Sequence, residues 1–405
     1  MMTPAYALTA TERVLPRLLL DWTTGSAQSG VDVVRAGVAT FVGSNGLIQP
    51  ASANTQRIDW SSGVAGILIE ESRTNLLLRS QEFNTGWTYN SAGAAANTTV
   101  APDGTTTADT LTFGNTAISR GYQAFTGNGS AFTFSVFAKY TDKQWIAFLL
   151  VDSGGVNRFV WFDVQNGVVG TTQTGITASV VASANGFYRC IATIATTATV
   201  NYAMIYGVNG NGSTSNAGQT GSVAAWGAQL EAGAKETSYI PTTTTAVTRN
   251  ADVATMTGTN FSDWYNPTEG TFSIDCIINT NSAAQILMEM SDGTSANRFQ
   301  YQRDSGSNNL SYLAIVSGSI SVNLSKTATF VNDAASIISA YKLNNYGIAV
   351  NGGATTTDTS SGVPIVDRMR IGATVAGAAP SSGWYQKLFY YPQRLTNAEI
   401  QAFSK

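Results

Sequence analysis

Phe132-Thr133-Phe134-Ser135-Val136-Phe137-Ala138 places Phe132, Phe134, Val136 and Ala138 two residues apart. Successive side chains of a strand point to opposite faces, so this spacing puts all four on one side of a sheet. The same rhythm continues outward along the chain. Phe187, Arg189 and Ile191 alternate with Tyr188, Cys190 and Ala192, and strands are predicted over 158–165, 201–208, 222–231, 270–279, 310–316, 335–342 and 384–391. Asn166-Gly167 and Asn351-Gly352 lie between apolar runs, and Asn-Gly supplies the positive φ angles of tight hairpins. Clusters of Gly, Ser, Thr and Asn recur roughly every ten to fifteen residues, the spacing of sandwiches rather than of alternating βα units. The reading is all-β. One helix is predicted, over 397–403: Thr396 and Glu399 have capping-box spacing, and Pro392 stops the strand before it.

Composition bounds the function. The chain has 405 residues, of which 43 % are hydrophobic and only 12 % charged. That charge content is about half the usual share. Thr, Ser, Asn, Gln and Gly take its place, giving a neutral, hydrogen-bonding surface suited to sugars or to close subunit packing. With a net charge of −3 and no cluster of Lys and Arg, nucleic acid is not an expected partner. The longest apolar run, Trp145 to Val151, is too short to cross a bilayer, so membrane insertion is not expected either. The opening Met-Met-Thr-Pro-Ala-Tyr lacks the pattern of a secretory signal, so the expected route is synthesis in the cytoplasm and assembly into a particle. There is no histidine, which removes histidine bases and ligands together. Cys190 and Cys276 sit in strand-like runs and read as buried free thiols.

Two boundaries suggest themselves. A Gly- and Asn-punctuated segment gives way to regular strands near 78–87, and Thr242-Thr243-Thr244-Thr245 after Pro241 reads as an extended linker. The division expected is an attachment and oligomerisation module over 1–80, a jelly-roll sandwich over 81–245 and a second sandwich over 246–405. Removal of everything from about Ala251 should then leave the rest folded.

The residues now support a resemblance. Arg35-Ala36-Gly37-Val38-Ala39-Thr40-Phe41-Val42, Asn54-Thr55-Gln56-Arg57-Ile58-Asp59-Trp60 and Gly66-Ile67-Leu68-Ile69-Glu70-Glu71-Ser72-Arg73-Thr74-Asn75-Leu76-Leu77 resemble the opening module of phage tail-fibre, head-spike and capsid-decoration proteins. Ala225-Trp226-Gly227-Ala228-Gln229-Leu230-Glu231, with Thr237-Ser238-Tyr239-Ile240-Pro241, resembles the end of a jelly-roll, carbohydrate-binding-module-like domain. Trp264-Tyr265-Asn266, Glu269-Gly270-Thr271-Phe272, Arg370-Ile371-Gly372 and Tyr390-Tyr391-Pro392-Gln393-Arg394-Leu395-Thr396 resemble a concanavalin A-like, laminin-G-like sandwich. The resemblance implies a place on the virion surface, other virion proteins and host-surface polysaccharide as partners, lectin-like host adsorption, and a homotrimer. No cofactor is expected, although related jelly rolls often hold a structural Ca²⁺.

For glycan binding, rings at turns or strand ends can stack on the C–H face of a sugar. The candidates are Trp87, Tyr122, Trp264, Tyr265, Trp384 and Tyr385, whereas Trp145, Trp161 and Trp226 lie mid-strand and read as core. For a cation, Asp152 and Asn157 in one turn and Asp103 in another offer oxygen ligands, though these are ordinary turn residues too. Glu70-Glu71 beside Arg73 reads as an interdomain or intersubunit ion pair. No strand carries acids at i, i+2 and i+4, the arrangement of concanavalin A-like glucanases; Glu70 and Glu71 are adjacent, and Glu289 and Asp292 are three apart, so each pair faces opposite ways on a strand. No catalytic residue is expected. The expectations that remain are a fibre, spike or decoration protein that binds host glycans, or a purely structural cement, with a glycan depolymerase behind both.

Overall fold

A computed structural model describes residues 15–404 apart from 198, 280–282, 308, 328–333 and 360–361. The chain divides into two compact units. One comprises Met1–Arg35, Asn54–Glu71 and Ala251–Lys405; the other comprises Ala36–Ala53 and Ser72–Asn250. The second is thus inserted in the sequence of the first. The residues expected as a separate module over 1–80 are shared between the two. The reason is pairing: Leu18–Asp21 and Gly66–Ile69 both lie against Gly383–Tyr391 and complete a sheet of the C-terminal sandwich.

This split sandwich has two sheets. One is ordered Thr356–Asp358, Tyr346–Val350, Ala334–Lys342, Glu269–Ile278, Gly383–Tyr391, Gly66–Ile69 and Ile58–Asp59, with Leu18–Asp21 added on Gly383–Tyr391. The other is ordered Asp32–Val34, Val253–Thr257, Arg368–Ile371, Gln285–Ser291, Arg298–Arg303, Leu310–Val316 and Ser319–Lys326. Their inner faces share one core that includes Trp22, Ile274, Met288, Phe299, Tyr341 and Leu388. The helix Asn397–Phe403 forms where expected, with both halves of the Thr396/Glu399 capping box in place. Its Ile400 packs with Leu395 on Ile338, Ala340 and Ala349, covering part of one outer face.

Three stretches distant in sequence are clamped together by charge. Asp252 accepts Arg35 at 2.6 Å and also binds Arg57; Arg57 reaches Glu70 at 2.7 Å. All four side chains are buried. Glu70, expected in an ion pair between domains or subunits, is here paired inside one unit. Opposite charges so placed offset the large cost of leaving water.

The inserted sandwich has one sheet ordered Ile176–Ala182, Tyr188–Ala195, Ala131–Tyr140, Gly221–Ala232, Ala108–Phe113 and Ala92–Thr99, and another ordered Val168–Thr172, Asn157–Asp163, Trp145–Val151, Val200–Gly207, Arg120–Thr126 and Thr88–Asn90. Phe132, Phe134, Val136 and Ala138 do share one face, in the core with Phe148, Phe162 and Ile205. Asn75 closes one end of it. Its amide donates to Ala228 O (3.0 Å) and Ile240 O (2.8 Å), while its carbonyl accepts from Leu77 N and Leu230 N. Cys190 and Cys276 are buried free thiols in different units, and burial pushes both thiols up in pKa.

Candidate functional site

An antiparallel sheet that covers a core on one face normally turns polar groups to water on the other. One sheet of the inserted sandwich does not. Trp145–Val151 sends Ile146, Phe148 and Leu150 into the core and turns Trp145, Ala147, Leu149 and Val151 outward. Its neighbours turn out Phe159 and Trp161, and Met204 and Tyr206. Register aligns these into two rows, Trp161–Ala147–Tyr206–Arg120–Asn90 and Phe159–Leu149–Met204–Tyr122–Thr88. Large rings therefore gather on this face, with Ala147 between Trp161 and Tyr206, and they lean across to meet. Phe159 stacks on Trp161 at 5.5 Å and meets Tyr206 edge-on at 5.4 Å; Tyr122 meets Tyr202 edge-on at 5.7 Å. The Arg120 guanidinium lies 5.2 Å from the Tyr122 ring and 5.4 Å from that of Tyr206, and donates to Asn90 Oδ1 (3.1 Å) and to the Tyr206 hydroxyl.

The other sheet of the same sandwich also carries rings on its outside, but they are covered. Phe137, Phe187 and Trp226 form a buried cluster with Ile48 and Tyr239, roofed by the hairpin of Ala39–Val42 and Ile48–Ala51. The first face is covered in part: Trp161 Nε1 donates to Ser213 O (2.6 Å), Asn211 Oδ1 accepts from Thr171 N (2.7 Å), and Ala147, Leu149, Met204 and Tyr206 are buried. Tyr122, Trp145 and Phe159 remain half-buried, and Tyr202 is 36 % exposed.

The split sandwich presents a different outer face. Here the register row is Thr255–Arg370–Glu289–Gln300–Leu313–Asn323, while the inner row is Met256–Met369–Met290–Phe299–Ala314–Val322. Glu289 accepts Val375 N (2.8 Å) and lies 3.6 Å from Arg298 Nε; Arg370 Nη1 donates to Val375 O (3.1 Å), and Gln300 Nε2 to Gln302 Oε1 (2.8 Å). Burial raises the pKa of Glu289, against the pull of the Val375 amide and the guanidiniums of Arg298 and Arg370. This arrangement holds the loop around Val375 onto the sheet.

The six rings expected at a ligand site are scattered. Trp87, Trp264 and Tyr385 are corrected to core. Trp87 stacks on Phe83 at 4.8 Å. Trp264 is wedged among Phe261, Phe272 and Tyr390, with Nε1 on Asn260 O (2.7 Å). Tyr385 donates to Leu287 O at 2.8 Å from a fully enclosed position. The turn residues around these rings mark chain reversals, but a ring of that area is more stable under the reversal than on it. Trp384 is half-buried and donates to Asp59 Oδ1 (2.7 Å). Tyr265 is half-buried beside a cleft, and Tyr122 belongs to the aromatic face. Trp161 and Trp226 are buried as expected, yet in clusters outside the main core, and Trp145 is half-exposed.

The cation candidates are engaged otherwise. Asp152 accepts Gly154 N and Val156 N at 2.9 Å and pairs with Arg158 Nε at 2.6 Å; the Val156 amide and then Arg158 hold its carboxyl below the usual range. Asn157 is exposed and opposes Val151 in the ladder. Asp103 caps its own turn through Thr105 N (2.9 Å). Among the described residues no group of three or more His, Cys, Asp or Glu could hold a metal ion.

No protein-family model and no curated protein matches the chain. Among solved structures it is similar to the NanB sialidase of Streptococcus pneumoniae, at 15 % identity over 35 % of this chain and 25 % of that one, with a TM-score of 0.32. It is also similar to the CBM40 of Ruminococcus gnavus IT-sialidase bound to α2,3-sialyllactose, at 18 % identity over 35 % of this chain and 84 % of that one, with a TM-score of 0.31. A third likeness is to the receptor-binding domain of botulinum neurotoxin mosaic serotype C/D, at 10 % identity over 37 % and 39 % of the two chains, with a TM-score of 0.30. The chain spans a quarter of the pneumococcal sialidase.

Proposed function

We propose that this chain is a carbohydrate-binding protein displayed on a phage particle, a fibre, head spike or decoration protein that adsorbs to host-surface glycan through the aromatic outer face of its inserted sandwich. The observation that carries this reading is the group of part-exposed rings on one outer face, Phe159, Trp145, Tyr122 and Tyr202, with Arg120 lying between Tyr122 and the buried Tyr206. Exposed apolar surface concentrated on one face marks a binding surface. Rings present flat π faces to sugar C–H groups, and Arg120 and Asn90 can exchange hydrogen bonds with hydroxyls. A shallow platform binds weakly at each site, and many copies on one particle raise the effective concentration of the next contact. We place the chain in a homotrimer for the same reason. Turnover is not part of the reading, since hydrolysis needs an acid and a second carboxylate across the scissile bond, and Glu289, the acid of the other outer face, is set among guanidiniums.

The test is a glycan array probed with the full chain and with Tyr122→Ala/Tyr202→Ala. Specific binding that falls at least tenfold in the double variant is expected. No binding to any host polysaccharide, or binding untouched by the substitutions, would sink the assignment. If the double variant instead breaks a trimer apart on sedimentation, the face is a subunit contact and the cement reading takes over.

A further inference from the structure

Arg120 is the single charged side chain in the two cross-sheet rows of the aromatic face. Its surroundings are neutral. Nε donates to Asn90 Oδ1 (3.1 Å), and Nη1 donates to the Tyr206 hydroxyl and to Met204 Sδ (3.3 Å). The guanidinium also lies over the rings of Tyr122 and Tyr206. Among the described residues no carboxylate pairs with it, and Nη2, which donates to none of them, is open to water. Two acids of the same sheet are engaged elsewhere. Asp163, three strands away and so roughly 14 Å off, accepts from Gln144 Nε2 (2.7 Å) and from Asn166 N (3.0 Å) and Nδ2 (2.9 Å). Asp152, just past the strand Trp145–Val151, pairs with Arg158 at 2.6 Å. The rings thus stand where a counter-ion would: the negative face of a π system attracts a cation without consuming its outward hydrogens.

We infer that the aromatic face selects acidic saccharides, with the sugar carboxylate received by Arg120 through Nη2. The inference rests on the carbohydrate reading of the chain and names the class of sugar that reading leaves open. The argument is one of charge. An arginine keeps its proton at every physiological pH, so this face carries a fixed positive charge. A neutral sugar laid across it would take the guanidinium out of water and return only hydroxyl contacts, and a buried charge without a partner is costly. A carboxylate returns an opposite charge, and hydrogen bonds between ionised partners are roughly twice as strong as neutral ones. The contacts on Nε and Nη1 fix the plane of the group before the ligand arrives, so little side-chain freedom is lost on binding. Asn90 is exposed beside it, with Oδ1 taken by Arg120 and its own amide hydrogens left for a ring hydroxyl. Uronic acids and nonulosonic acids both supply the carboxylate.

The test is calorimetric titration of the full chain with polygalacturonate and with α2,8-linked polysialic acid, each beside its carboxyl-reduced counterpart, which has the same backbone and no charge. At least one acidic polymer should bind roughly tenfold more tightly than its reduced form, and which of the two does so separates the uronic from the nonulosonic source. Arg120→Gln should bring the acidic polymer down to the affinity of the reduced one, and Arg120→Lys should keep part of the preference. Equal binding of acidic and reduced polymers by the parent chain overturns the inference, and that comparison needs no variant to fold. So does a preference that survives Arg120→Gln, or failure of both acidic polymers to bind. If neither acidic polymer binds while neutral glycans on the array still bind through Tyr122 and Tyr202, selection for acid alone is lost. An array with no bound glycan of any kind removes the carbohydrate reading beneath it.

Discussion

The two outer sheet faces are laid on the same antiparallel ladder and carry opposite chemistry. In the inserted sandwich, one cross-sheet row reads Phe159–Leu149–Met204–Tyr122; in the split sandwich, a row reads Arg370–Glu289–Gln300–Leu313. The first is held by rings packing on each other, the second by hydrogen bonds that tie down a loop. Phe159 and Tyr122 still expose part of their rings, whereas the Glu289 carboxylate is buried, bonded to the Val375 amide and beside the Arg298 guanidinium. The two sandwiches also differ in continuity. The inserted one draws its main core from a single stretch, and the split one depends on pieces gathered from far apart and clamped through Asp252.

The largest test of that contrast is truncation. With 251–405 removed, Leu18–Asp21 and Gly66–Ile69 lose the strand they pair with, and Arg35 and Arg57 lose Asp252. Residues 15–35 and 54–71 should then exchange amide hydrogens as an unfolded chain does, while 130–140 and 221–232 stay protected. Protection throughout both would erase the difference between the sandwiches. A single substitution tests the clamp more gently. Asp252→Ala strands two buried guanidiniums, and loss of one partner from a buried ion pair costs about 3–5 kcal/mol. Urea unfolding should show that loss in the split sandwich and leave the transition of the inserted one in place; equal destabilisation of both would couple them.

The smallest effect concerns Glu231, a fully buried carboxylate of the inserted sandwich that accepts Thr237 N at 2.8 Å and Thr237 Oγ1 at 2.7 Å. Burial raises its pKa against these hydrogen bonds. A carboxyl whose folded pKa exceeds its unfolded value costs stability above that folded pKa. The cost fades as pH falls toward the unfolded value near ~4.3. Glu231→Gln should therefore raise the melting temperature of this sandwich at pH 7, with the advantage over the parent shrinking by pH 5. An advantage that grows on acidification contradicts the assignment.

How far the sequence foretold this depends on where parity is kept. Phe132, Phe134, Val136 and Ala138 keep it, and their face was legible. So was the terminal helix, because the Thr396 and Glu399 capping box is local chemistry. Tyr385 was misread for a definite reason: the register shifts between Asp275 and Cys276, and a bulge re-aims the rings on the partner strand. Tyr202, Phe159 and Arg120 were missed although a signal exists. Trp145–Val151 is apolar at both parities, which a strand with one wet face should not be. What no local pattern could show is a non-local pairing such as Leu20 with Leu388. Periodicity marks a strand but does not name its neighbour, so the first 80 residues read as a module of their own.

That pairing sets an order of events during synthesis. The strand carrying Leu18 and Leu20 leaves the ribosome long before its partner at 387–390. At about 5–20 residues per second, the wait is on the order of tens of seconds. The inserted sandwich has all its strands long before then and can close while translation continues. The split one cannot, and through that interval Leu18, Leu20, Trp22, Ile67 and Ile69, all destined for its core, have nowhere to go. A nascent-chain chaperone that shields short apolar segments is therefore the helper this architecture asks of the cell, and ribosome profiling of such a chaperone should find it bound until the strand Gly383–Tyr391 emerges.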